Sequence, residues 1–194
     1  MLKKPATRHF ECNQDVALVD LKASYHGGLQ QDSSNLLGSN RTVKSLRNRQ
    51  EVNEILSRLE RLSPAMPHLW GKMSAHQMIC HLNDAFKLYA GVIRAAQPGF
   101  PYPSKLLKWG CLFVPIRWPK GFRTVPEVDQ ERGGTCPVEF EQDLAELKGR
   151  INSFKQIPAD FAWPSHPYLG PMSASEWMRL GYLHTDHHLR QFGV

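Results

Sequence analysis

Apolar positions recur at helical offsets along the second half of the chain, and four segments carry the signal. Val52, Ile55, Leu56, Leu59 and Leu62 fall on one face of a helix that begins after about Thr42 and ends before Pro64. A second helix opens at Ser74-Ala75-His76-Gln77, a capping box in which serine and glutamine satisfy each other's orphan backbone donors, with Met73 and Met78 placed as a hydrophobic staple. Its stripe is Met78, His81, Leu82, Ala85, Phe86 and Tyr89, and the pattern carries it to about Ala96, before Pro98. A third helix has Pro137 in its first turn, then Phe140, Leu144, Leu147, Ile151 and Phe154. Ser173-Ala174-Ser175-Glu176 repeats the capping box, with Met172 and Trp177 as the staple, and starts a fourth helix whose inward stripe is Trp177, Leu180, Gly181, His184 and His188.

Four amphipathic helices without a convincing alternating strand predict an all-α fold, an antiparallel four-helix bundle. The segment from Pro98 to Pro137, between helices two and three, is too long for a plain bundle connection and holds seven of the fourteen prolines together with Trp109 and Trp118. Within it, Leu106 to Val114 is apolar enough for a short helix. Residues 1–40 are balanced in charge and end in a Gly/Ser/Asn/Gln-rich stretch, which predicts a poorly ordered extension ahead of a domain spanning 41–194.

Composition narrows the setting. With 194 residues, 41% of them hydrophobic, the chain can bury a sizeable core without disulfide staples. The cysteines at 12, 80, 111 and 136 form no C-x-x-C and no framework spacing, which suits reduced thiols. No apolar run is long enough to span a bilayer, and Met1-Leu2-Lys3-Lys4-Pro5 opens no apolar signal core, so a cytoplasmic location is expected. The net charge of +6 favours acidic partners only weakly, and no nucleic-acid motif accompanies it. Its distribution is more telling: from Pro98 to Pro126 there are five basic residues and no acidic ones. Two readings stay open, a lid over an anionic ligand beside the histidines, or aromatic cover for the bundle with solvated cations around it.

Three histidines fall on stripes that should face the core: His81 on helix two, and His184 with His188 on helix four. Residues four apart share a helix face, so His184 and His188 could grip one cation, with His81 as a third ligand from the neighbouring helix. The alternative is three separate hydrogen-bonded histidines, but imidazoles clustered in a core without a metal would leave ring nitrogens needing partners. His187 and His76 point off the ligand face, the former toward the rim or a neighbouring chain, and Cys80 is expected as a small buried hydrophobe. Asp84 stands one turn beyond His81 and either orients an imidazole or lies on a solvated helix face. The H-E-x-x-H signature is absent, Asp186 points away from the pair, and no side chain is assigned a catalytic role.

The strings Cys80-His81-Leu82 and His184-Thr185-Asp186-His187-His188-Leu189-Arg190-Gln191, with GKMSAHQMICHLNDAF and HPYLGPMSASEW, resemble the DinB/YfiT-like superfamily of metal-binding four-helix bundles over roughly residues 45–194. The resemblance implies a divalent cation, zinc or nickel, held by His81, His184 and His188. Better-known members include thiol-dependent S-transferases, a maleylpyruvate isomerase and metal-dependent hydrolases, so the resemblance implies a metal-dependent enzyme of hydrolase or thiol-dependent transferase type without choosing among them. A small-molecule substrate is expected, a thiol by that resemblance or an anion by the basic segment, and a homodimer is a further expectation. A non-enzymatic, metal-stabilised interaction module is the competing reading. The ending departs from the commoner H-H-R-G-Q by placing Leu189-Arg190 before Gln191.

Overall fold

The computed structural model describes residues 43–97, 101–122, 124–158 and 160–194. The predicted extension over 1–40 lies outside the described residues. Among those described, the chain forms five α-helices and one 3-10 turn and no strand: α1 (Arg49–Leu59), α2 (Ala75–Tyr89), α3 (Ser104–Phe113), the 3-10 turn Pro126–Val128, α4 (Phe140–Phe154) and α5 (Ala174–Gln191). The expectation of an all-helical protein holds. No helix among the described residues is long and apolar enough to cross a membrane.

Local chemistry explains where the helices begin and end. Both capping boxes form, Ser74 with Gln77 and Ser173 with Glu176. The first helix begins later than the pattern suggested, at Arg49, where the Asn48 side chain accepts from the Gln50 amide. α2 stops at Tyr89 rather than near Ala96. Gly91 takes φ +76°, its amide donates to the Leu88 carbonyl and that of Val92 to Lys87, which closes the helix as a Schellman motif. α4 starts at Phe140, with Glu139 accepting from the Gln142 amide, so Pro137 precedes the helix instead of sitting in its first turn.

α2 packs on α4 and α5, and α1 packs on the same two helices, so these four surround a common core. The faces are those the periodicity implied: Val52, Ile55 and Leu59 from α1, Phe140, Leu144, Leu147, Ile151 and Phe154 from α4, Trp177, Leu180 and Gly181 from α5 are buried. Each large apolar side chain so buried stabilises the fold by roughly 1.5–3 kcal/mol. Gly181 is there for space, since a Cβ would come within 2.8 Å of a Leu46 methyl. α2 is buried nearly all round, including its polar Asn83 and Asp84, which therefore need partners inside the protein.

The segment between α2 and α4 folds back. α3 forms at the predicted apolar cluster and lies on α5, with Leu112 fully buried, Lys108 paired to Glu176 at 3.1 Å, and the Arg179 guanidinium donating to the Leu112 carbonyl. Its outer positions Leu106, Trp109 and Phe113 are exposed. The Pro126–Val128 turn packs on α2.

Candidate metal centre

α2 and α5 bring His81, His184 and His188 together as the stripes required. The Nε2 atom of His184 lies 3.3 Å from Nε2 of His81 and 3.1 Å from Nε2 of His188. Nitrogen ligands placed about 2.0–2.1 Å from one tetrahedral cation are separated by roughly 3.3–3.4 Å, so the observed spacing fits a shared ion. His81 and His188 are buried, whereas His184 keeps some exposure to solvent.

The opposite ring nitrogens are all engaged. His81 Nδ1 donates to the Val128 carbonyl at 2.8 Å, and since a carbonyl only accepts, Nε2 of this ring is bare. Gln191 fixes His188 in the same way. Its amide nitrogen donates to the Trp70 carbonyl at 2.7 Å, which leaves its oxygen to accept from His188 Nδ1 at 3.0 Å. His184 Nδ1 meets the Tyr89 hydroxyl at 2.7 Å. Such outer partners select the tautomer and hold the ring plane of metal-binding histidines. His81 and His188 thus present bare Nε2 atoms to the point that His184 Nε2 also reaches, and the third nitrogen is bare as well when His184 Nδ1 donates to the Tyr89 hydroxyl.

The electrostatics agree with neutral rings. Burial pushes the pKa of His81 below its usual range, and burial together with the neighbouring imidazoles pushes His184 and His188 well below it. Neutral imidazole is the form that ligates a cation. Burial raises the Tyr89 phenol, which stays protonated and available for hydrogen bonding to His184.

The remaining sequence candidates separate clearly. His187 is not among the converging nitrogens; its ring stands 6.1 Å from that of Trp70 and 5.8 Å from that of Trp118. Asp186 points to the other side of α5, pairing with Arg58 at 2.8 Å and Arg190 at 2.9 Å. Asp84 orients no imidazole and lies on no solvated face. It is fully buried and accepts from the Thr135 amide and hydroxyl, both at 2.7 Å, and from Gln130 at 3.3 Å. It thereby anchors the loop that follows Val128, the residue whose carbonyl holds His81.

Cys80 is buried as expected, but with a partner the sequence did not reveal. Asp143 on α4 accepts from the Cys80 thiol at 3.5 Å and meets His76 Nε2 at 2.6 Å, a second cluster of donor types that could hold a metal. These atoms already satisfy one another at hydrogen-bond distances. Burial and then Asp143 push the thiol up, keeping it protonated, so the cluster acts as a tie between α2 and α4.

Sequence reasoning also missed the placement of Tyr89, Trp118 and His166. Tyr89 stood on the predicted stripe two turns beyond His81, a signal for proximity although not for its hydrogen bond. Trp118, fixed by donation from its indole nitrogen to the Cys111 carbonyl at 2.8 Å, lies 5.9 Å from the His184 ring between centroids. His166 accepts from the Tyr168 and Leu169 amides through Nδ1, and burial lowers its pKa to about 4. Comparison of the chain with protein-family models, curated proteins and solved structures finds no match.

Proposed function

We propose that the chain is a DinB/YfiT-like four-helix-bundle protein in which His81, His184 and His188 hold one divalent cation, zinc or nickel, and that this centre serves a metal-dependent hydrolase or thiol-dependent transferase. The observation that carries the reading is the convergence of three Nε2 atoms whose Nδ1 partners are all engaged elsewhere. When bound, a three-imidazole cation leaves a coordination position that can lower the pKa of water toward about 7 or bind a thiolate. The chain's own part is to orient: Val128, Gln191 and Tyr89 hold the rings, and Trp118 covers the His184 side. Metal content measured by elemental mass spectrometry tests the assignment. Near one equivalent per chain is expected, falling sharply in His81→Ala, His184→Ala and His188→Ala but not in His76→Ala or His187→Ala.

The non-enzymatic reading is favoured by one feature: among the described residues, no Asp or Glu hydrogen-bonds to any of the three imidazoles, so a protein base is not in place beside them. Cobalt-substituted protein separates the two. A visible spectrum that changes on adding azide or a small thiol reports an exchangeable position, as the enzyme requires; an unchanged spectrum assigns the cation a structural role.

A further inference from the structure

A cavity of about 380 Å³ opens beside the centre, and its walls combine two chemistries. Trp70, Trp118 and His187 supply aromatic surface, while Arg117, Lys120 and Arg190 supply cations; no Asp or Glu lines it, and the main-chain carboxylate of Val194, which does, accepts from Arg58 at 2.9 Å. Arg190 is already paired with Asp186. Arg117 and Lys120 meet no carboxylate among the described residues; the Lys120 ammonium instead lies 4.8 Å above the Trp70 ring. The volume lies within the range of about 300–1,000 Å³ typical of small-molecule pockets.

Resting on the reading of the histidines as a metal centre, we infer that this cavity is the substrate site and that it takes a small organic anion, a flat apolar body carrying one carboxylate or phosphate. The indoles provide apolar faces for the body, and Arg117 and Lys120 provide the charge that the anion lacks elsewhere in the pocket. Trp118 joins the two sites, since the same indole lines the cavity and faces His184. Arg117, Trp118 and Lys120 come from the folded-back segment, so the acid-free stretch of sequence does border the centre. A ligand seated there would have its apolar body against Trp118, on the side of the least buried imidazole.

Titration of the full-length protein with phenyl phosphate, benzoate, benzyl alcohol and inorganic phosphate, read by tryptophan fluorescence and by calorimetry, tests this. Phenyl phosphate or benzoate should bind more tightly than both benzyl alcohol and inorganic phosphate, and the tighter of the two identifies the preferred headgroup. Loss of two charge-assisted contacts in Arg117→Gln/Lys120→Gln should weaken that binding between about tenfold and a hundredfold. Both positions are exposed, so the variant keeps the fold, and its metal content should equal the parent's. Equal affinity in variant and parent would overturn the inference, as would benzyl alcohol or inorganic phosphate binding as well as the aromatic anions. A chain that binds these anions through Arg117 and Lys120 but carries no metal would overturn the metal reading and leave the anion pocket standing.

Discussion

Gln191 donates to the Trp70 carbonyl with one end of its amide and accepts from His188 with the other, tying the loop before α2 to one ligand of the centre. Replacing it by alanine strips His188 Nδ1 of its acceptor and frees the ring to turn. Metal affinity measured against a chromophoric chelator should fall about 10–100-fold, the usual cost of losing such a partner. Tyr89→Phe should weaken binding in the same direction, because it removes the only oxygen found on His184 Nδ1 among the described residues. Unchanged affinity in both variants would mean that packing alone orients the rings. His166 provides a separate test, through proton linkage. Burial lowers its pKa from the usual 6.5 to about 4 on folding, so between these values the unfolded chain binds the proton and the folded chain does not. Stability is therefore unaffected above pH 6.5, drops as pH falls toward 4, and has lost on the order of 3 kcal/mol from this group once below it. His166→Asn keeps an acceptor for the Tyr168 and Leu169 amides but does not titrate. Its melting temperature should decline less than the parent's between pH 6.5 and 4.

α2 holds the largest share of the design, because it is buried on nearly every side and its polar residues reach partners on α4, on α5 and in the folded-back segment. Asn83 donates to the Asp143 carbonyl, His81 reaches Val128, and Asp84 gathers the donors of Thr135 and Gln130. Asp84→Ala removes the buried carboxylate that gathers the Thr135, Gln130 and Lys87 donors, and a loss of roughly 1.5–3 kcal/mol in chemical denaturation is expected. Metal affinity should fall with it, since the loop that Asp84 anchors carries the His81 acceptor; affinity equal to the parent's would show that Val128 is placed by other contacts. What was legible in the sequence follows the range of the physics involved. Helical period alone sets which side chains share a face, so His81, His184, His188 and the apolar stripes could be read directly. Capping boxes are equally local. The end of α2 was misjudged because apolar periodicity continues past Tyr89, while the positive φ that stops the helix is spent on Gly91, a signal present in the sequence and outweighed there by the pattern. Asp84 and Val128 were illegible for another reason: their partners lie some fifty positions away, joined by a fold-back that no local rule specifies. Gln191 sits between these cases, three residues beyond His188 on the same helix face, readable as a neighbour but not as an acceptor until the Trp70 carbonyl fixes its amide.

At the scale of the whole molecule, the three imidazoles join α2 to α5 across the core, and the Val128 carbonyl extends that junction into the folded-back segment. The unfolded chain has no such junction. It retains the His184 and His188 pair, but His81 lies 103 positions away and its capture must close that long loop. A cation that binds the folded form far more tightly adds about 2.7 kcal/mol of stability when free metal stands a hundredfold above its Kd. For a domain of this size each kcal/mol moves the melting temperature by roughly 2–4 °C. Removing metal with a chelator from the full-length protein should therefore lower its melting temperature by roughly 5–10 °C, and adding zinc or nickel back should restore it. A chain lacking residues 1–40 should show the same shift, because the hydrogen bonds that organise the centre run between Trp70 and Gln191. In His81→Ala the junction is cut, so the chelator should move the transition little even though His184 and His188 remain in place. Equal melting temperatures of parent protein with and without metal would mean that the core holds α2 and α5 together unaided, leaving the three-histidine cluster without a role in stability.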